Sequence, residues 1–188
     1  MTDNNIIKVL AGGELLILDG AMGTMIQSYH LTEQDFRGER FQDIPGQMQG
    51  NNDILVLTRP DVIKDIHRRY LEAGADIITA NTFSSQQISM ADYHCEHLVK
   101  ELNREAVRIA REAVAEYQTV HAGLAANKFV IATVGPTNKT LSMSPDVNDP
   151  SYRAVSYDEM FEAYREQMQV LFDCNVDGIL LETIFATA

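Results

Sequence analysis

The chain has 188 residues, 45% of them apolar and 22% charged, with a formal net charge of −12. That length supports one domain with a real core, and the balance is that of a folded globular protein rather than a disordered one. The acidic field, with Lys and Arg scattered, argues against nucleic acid and anionic membrane as partners, and no apolar run approaches a bilayer span. The opening Met1-Thr2-Asp3-Asn4-Asn5 lacks the basic start and apolar block of a secretory signal, so a cytoplasmic protein is expected. Cys95 and Cys174 lie far apart in helix-like stretches and read as buried structural thiols rather than a disulfide.

Along the chain, short apolar runs alternate with amphipathic helices, the pattern of βα units and a parallel sheet. The first run, Leu15-Leu16-Ile17-Leu18, ends at Asp19. A long loop from about Gln27 to Asn52 follows. Pro60 is placed as a first-turn proline, with Val62, Ile63, Ile66 and Tyr70 on one helix face and Gly74 as its stop. The second run, Ile77 to Ala80, ends at Asn81-Thr82. A longer helix is predicted after Asp92, with Leu98, Leu102, Ala106, Ile109, Ala113 and Tyr117 at helical spacing. The third run, Phe129 to Val134, ends at Gly135-Pro136-Thr137, and a second long loop runs from Asn138 to about Val155. Ser156 and Glu159 form a capping box before a helix with Met160, Tyr164, Met168 and Leu171 on its inner stripe. The fourth run, Gly178 to Leu181, ends at Glu182-Thr183. Both long loops follow strand ends, where α/β folds build ligand sites, and they read as ordered lids. A weak repeat relates 74–82 to 175–183: a helix ends, an Asp starts a strand, and a polar residue followed by Thr closes it. Asn81 and Glu182 are then equivalent.

Three constellations carry chemistry. Asp19-Gly20-Ala21-Met22-Gly23-Thr24 follows the first run; its glycines permit a tight turn whose N–H groups meet a carboxylate, and Asp19 supplies a negative charge for a cation. It is neither a Walker loop nor a dinucleotide fingerprint, and an ordinary strand–turn with a capping Asp is the competing reading. Glu182 ends an apolar strand, so its carboxylate stands at the edge of a buried layer; a solvated loop glutamate is the alternative. If the strands are parallel, Asp19, Asn81, Thr137 and Glu182 emerge on one face, and two carboxylates across it hold one ammonium group as binders rather than as an acid–base pair. His94-Cys95-x-His97 has metal-ligand residue types but lies on a charged segment, and a metal site there is disfavoured. His30, His67 and His121 are isolated and read as surface residues.

Four blocks together resemble the homocysteine S-methyltransferase family: Leu18–Thr24, Thr79–Phe83, Val134–Thr137 and Leu180–Thr183. Within that family, Phe36–Phe41, Gly50–Leu55, Asn138–Ser142 and Ser144–Asn148 resemble the cobalamin-dependent methionine synthases. The resemblance implies that residues 1–188 are the N-terminal part of a homocysteine-binding (β/α)8 TIM-type barrel, about four βα units of it. It implies transfer of a methyl group from methylcobalamin, recharged by 5-methyltetrahydrofolate, to zinc-activated homocysteine to give methionine. Asp19 and Glu182 would hold the substrate ammonium, and the turn Gly20, Ala21, Gly23 and Thr24 its carboxylate, with Asn81 and Thr137 at the same mouth. The family's zinc cysteines match neither Cys95 nor Cys174 and fall beyond residue 188, and its usual Asp is absent near Ala186. No catalytic residue, bound zinc or bound cobalamin is therefore expected in this chain alone, which is expected to be inactive without the remaining barrel half and the cobalamin and folate domains. A whole barrel needs about 250 residues; four strands leave two edges and an apolar face open, which predicts self-association or marginal stability. The rival readings are a betaine- or S-methylmethionine-dependent homocysteine methyltransferase and a non-catalytic amino-acid-binding or structural half-barrel.

Overall fold

A computed structural model of the chain describes residues 6–122 and 127–184. Its elements in order are α1 (Ile6–Ala11), α2 (Met22–Gln27), α3 (Glu33–Arg37), α4 (Leu55–Thr58), α5 (Pro60–Glu72), β1 (Ile77–Ala80), α6 (Gln87–Met90), α7 (Val99–Val120), β2 (Phe129–Val134), α8 (Tyr157–Asp173) and β3 (Gly178–Leu181). The three strands form one parallel sheet in the order β1-β2-β3, so each strand pairs with its neighbour in sequence. Helices must then carry the chain back between them, which is why α7 and α8 are long.

The sheet alternates with period two. Ile78, Ala80, Val130, Ala132 and Val134 point into the main core with α5 and α7, whose Ile63, Ile66, Leu102 and Ile109 are fully buried. Burial of each such side chain stabilises the fold by about 1.5–3 kcal/mol. Thr79, Ile131, Thr133 and Leu180 occupy the alternate positions. Central β2 is buried along its whole length, whereas Leu181 at the edge of β3 is 59% exposed.

The helix signals act as expected. Pro60 opens α5, where its missing N–H would have had no partner anyway, and Gly74, with φ of 104°, ends that segment. Ser156 and Glu159 make a reciprocal capping box at α8. The repeat is a structural device. Asp76 accepts the Ile17 N–H (3.0 Å) and the Lys128 ammonium (2.9 Å); Asp177 accepts the Val130 N–H (2.7 Å) and the Arg111 guanidinium (2.9 Å). Each aspartate fastens the start of its strand to the preceding segment and is neutralised by a cation from the sheet or the packing helix.

Several expectations need correction. The expected strand at Leu15–Leu18 is a single parallel bridge, Leu18 against Ile77. Its Ile17 N–H is taken by the Asp76 carboxylate, and no described segment pairs with its other side, so Leu15 is 88% and Ile17 55% exposed. The loop from Gln27 to Asn52 contains α3, with a capping box from Thr32 and Asp35, and Arg37 donates to the carbonyls of Phe41 (3.0 Å), Gln42 (3.1 Å) and Ile44 (2.8 Å). The helix expected after Asp92 begins only at Val99, because two 3₁₀ turns, Ala91–Tyr93 and Glu96–Leu98, precede it. Cys95 is buried between those turns rather than inside a helix, and Cys174, at the end of α8, is only half-buried. His67 is fully buried instead of exposed. Ala186 lies outside the described residues. No described helix is long and apolar enough to cross a membrane.

Candidate functional site

A cleft of about 790 Å³ opens at the C-terminal ends of the strands. Asp19 enters it one residue beyond the Leu18 bridge. Its carboxylate accepts the Thr79 N–H (2.8 Å) and the Thr79 hydroxyl (2.9 and 3.1 Å to its two oxygens). Burial pushes its pKa up to about 6 against those hydrogen bonds, and the charge of Glu182 adds to the rise. The two carboxylates therefore share one pole of the cleft. Asp53 lies elsewhere along the wall, 5% exposed. One of its oxygens accepts both the Ser84 N–H (3.1 Å) and the Ser85 hydroxyl (2.6 Å), and burial pushes its pKa up to about 6 as well. Asp53 and Asp92 both raise the pKa of the Tyr93 phenol, after burial, which is the larger cause.

Asp19, Asp53, Asp92 and Glu182 line this cleft, and no Lys, Arg or His does so among the described residues. Carboxylates without a basic partner around a cleft attract a cation or a hydrogen-bond donor. The backbone adds the complement: the N–H groups of Gly20 and Ala21 make no hydrogen bond among the described residues. The arrangement can therefore receive a zwitterion, its ammonium between carboxylates and its carboxylate on backbone N–H groups.

The structure brings Asp19, Gly20, Ala21, Gly23, Asn81, Thr137 and Glu182 to the cleft. Thr24 is exposed on the first turn of α2 and does not line it. The Asn81 side chain is engaged by the protein, its amide donating to the Asn52 carbonyl (2.9 Å), and the Thr137 hydroxyl donates to the Lys139 carbonyl. Gly20 and Gly23 do not adopt positive φ. Gly20 matters by close approach, since a Cβ there would lie 3.0 Å from the Tyr70 hydroxyl. Cleft residues that sequence reasoning missed include Asp53, Phe83, Ser84, Asp92 and Tyr93. Asp53 and Phe83 fall inside blocks that carry the family resemblance, which was the one signal for them; Tyr93 had none.

Neither cysteine suits a zinc site here. Cys95 donates to the Tyr93 carbonyl (3.2 Å), and burial pushes its pKa up to about 11, which disfavours a thiolate ligand. Cys174 follows α8, at the end of the sheet opposite the cleft. His94 and His97 are exposed on either side of buried Cys95, and no group of three or more His, Cys, Asp or Glu suited to a metal occurs among the described residues.

Residues 16–188 match the family model of the homocysteine S-methyltransferases. The fold is similar to the homocysteine methyltransferase MmuM from Escherichia coli in its metallated form, with a TM-score of 0.70 at 20% identity over 97% of this chain. The oxidized form of that enzyme gives a TM-score of 0.67 at 20% identity over 93% of this chain. The chain spans 58% of the length of the metallated structure and 55% of the oxidized one.

Proposed function

The chain belongs to the homocysteine S-methyltransferase family, and from that premise we propose that its cleft binds the amino-acid end of L-homocysteine for methyl transfer to sulfur. The observation that carries this reading is the acidic lining, without a basic residue among the described residues, in which the charge of Glu182 reaches Asp19. An ammonium between them relieves both the desolvation of Asp19 and that repulsion. The N–H groups of Gly20 and Ala21 then face the substrate carboxylate. These residues bind and orient; they neither take nor deliver the methyl group. In the overall reaction the sulfur gains a methyl group and loses its proton.

We further read residues 1–188 as the N-terminal part of a (β/α)8 barrel of the cobalamin-dependent methionine synthase type. The sequential parallel order of Leu18, β1, β2 and β3 supports this, as does the outer edge of β3, which is unpaired among the described residues. Among the described residues no group of three or more His, Cys, Asp or Glu could hold a metal ion, and the zinc and cobalamin implied by that reading carry no step of the binding described above. The blocks Phe36–Phe41 and Asn138–Ser142 favour the cobalamin type over betaine or S-methylmethionine as donor. The site is tested by titrating the chain calorimetrically with L-homocysteine and with 4-mercaptobutanoate, which lacks the ammonium. Homocysteine should bind and the analogue should not; equal binding of the two would remove the carboxylate pole from the argument.

A further inference from the structure

We propose that Phe83 is the specificity-determining residue of the cleft, a fixed aromatic platform for the sulfur-bearing side chain of the bound amino acid. The inference rests on the amino-acid reading of the same cleft. Phe83 follows the end of β1 and lines the cavity, with 36% of its surface exposed. An aromatic ring left in part to water inside a cleft is an apolar contact awaiting a ligand.

The ring is held from behind. A Cβ on Gly135 would stand 2.6–2.8 Å from three of its carbons, so the ring lies against backbone that only glycine leaves bare. The Gly135 N–H donates to the Phe83 carbonyl (2.9 Å), and the Gly135 carbonyl accepts the Tyr164 hydroxyl (3.1 Å). Just before the ring, the Thr82 hydroxyl donates to the Thr133 carbonyl (2.7 Å), and the buried Gln167 amide donates to the Thr82 carbonyl (2.7 Å). Both neighbours of the ring are thus tied to the sheet and to α8, and it has little freedom to turn aside.

The cleft lining is consequently mixed: Asp19 and Glu182 offer charge, while Phe83, Met90, Pro136 and Leu180 offer apolar surface. A thiol or thioether suits the ring of Phe83, because polarizable sulfur gains from an aromatic ring and loses little on leaving water. A hydroxyl in its place gives up hydration and meets no side-chain nitrogen or oxygen on these four residues. The sulfur–ring contact corresponds to about a two- to tenfold preference.

The test measures calorimetric affinities of the whole chain for L-homocysteine and L-homoserine in the wild type, Phe83→Leu, Gly135→Ala and Asp19→Asn. Phe83→Leu keeps apolar bulk without the ring; Gly135→Ala keeps the ring but unseats it. Both should lower the homocysteine-to-homoserine affinity ratio by about two- to tenfold and leave homoserine binding nearly unchanged. Asp19→Asn should weaken both ligands equally and preserve the ratio. A ratio unaltered by Phe83→Leu, with Asp19→Asn still weakening both, overturns the role of Phe83 and leaves the amino-acid site standing. Homocysteine binding that is absent, or indifferent to Asp19→Asn, overturns the site and the platform together. Should Gly135→Ala fail to fold by circular dichroism, Phe83→Leu alone decides.

Discussion

Replacing Asp19 by Asn separates the charge of this residue from its hydrogen bonds. An asparagine can still accept the Thr79 N–H and donate to the Thr79 hydroxyl, so the local fold is kept. What disappears is a carboxylate whose pKa burial has raised from 3.8 to about 6. In the free protein about 90% of such groups are ionised at pH 7 and about 10% at pH 5. If the ionised form binds the substrate ammonium, wild-type affinity for L-homocysteine falls about tenfold between those values, and binding near pH 6 releases about half a proton. A hydrogen bond between charged groups contributes about 1.5–3 kcal/mol, so Asp19→Asn should weaken binding about 10- to 150-fold at pH 7. It should also flatten the pH dependence. Calorimetry at pH 5, 6 and 7, in buffers of different ionisation enthalpy, reads affinity and proton release together. An affinity indifferent to pH in the wild type, or an Asp19→Asn variant that binds as well as its parent at pH 7, would refute the charge argument.

Two stability predictions follow from buried groups that the fold leaves uncompensated. The folded pKa of Asp53 lies above its unfolded value, so the protonated form favours folding, and that contribution fades as pH rises from about 4 through 6. Asp53→Asn keeps an acceptor for Ser84 and Ser85 and should stabilise the chain by up to about 3 kcal/mol at pH 8, but hardly at all at pH 4; urea unfolding at both values checks this, and equal effects would discount the buried charge. His67 has both ring nitrogens buried without a hydrogen-bond partner among the described residues, and burial lowers its pKa to about 4. His67→Leu should stabilise by about 1–3 kcal/mol at pH 7. Because the unfolded chain takes up the proton first, the advantage should widen as pH falls from 6.5 towards 4, and a thermal-unfolding series showing it narrow instead would count against a neutral, unpartnered imidazole.

What could be read from the residues and what could not divide along the range of the interactions involved. The strands β1, β2 and β3 were legible because consecutive apolar residues bounded by turn signals mark strands of a parallel sheet, although only β2 is buried along its whole length. The Asp76 and Asp177 repeat was legible for a related reason, since each aspartate binds the segment directly before it in the sheet. Leu15–Leu18 shares the apolar pattern but not the outcome, because the Asp76 carboxylate takes its Ile17 N–H and only Leu18 bridges to β1, at Ile77. His67 was misread although its position was informative: with Ile63, Ile66 and Tyr70 it completes the i, i+3, i+4, i+7 face of α5, and the polarity of the residue outweighed the period that places it inside.

The same distinction explains the candidate site. Asp19 and Glu182 could be named because each directly ends a strand-like run, so position alone puts them at the mouth of the sheet. Asp53 could not, because Ser84 and Ser85, about thirty residues away, hold it in the wall. A structural anchor alone would not require a carboxylate there, since the two donors converge on one oxygen and an asparagine would accept them without the cost of a buried charge. Asp19 presents the same imbalance, raised by burial and by Glu182 despite its bonds to Thr79. Charges buried in a cleft without a cation among the described residues favour a ligand that supplies one, which is why the acidic wall, more than the glycine turn, supports the proposed amino-acid site.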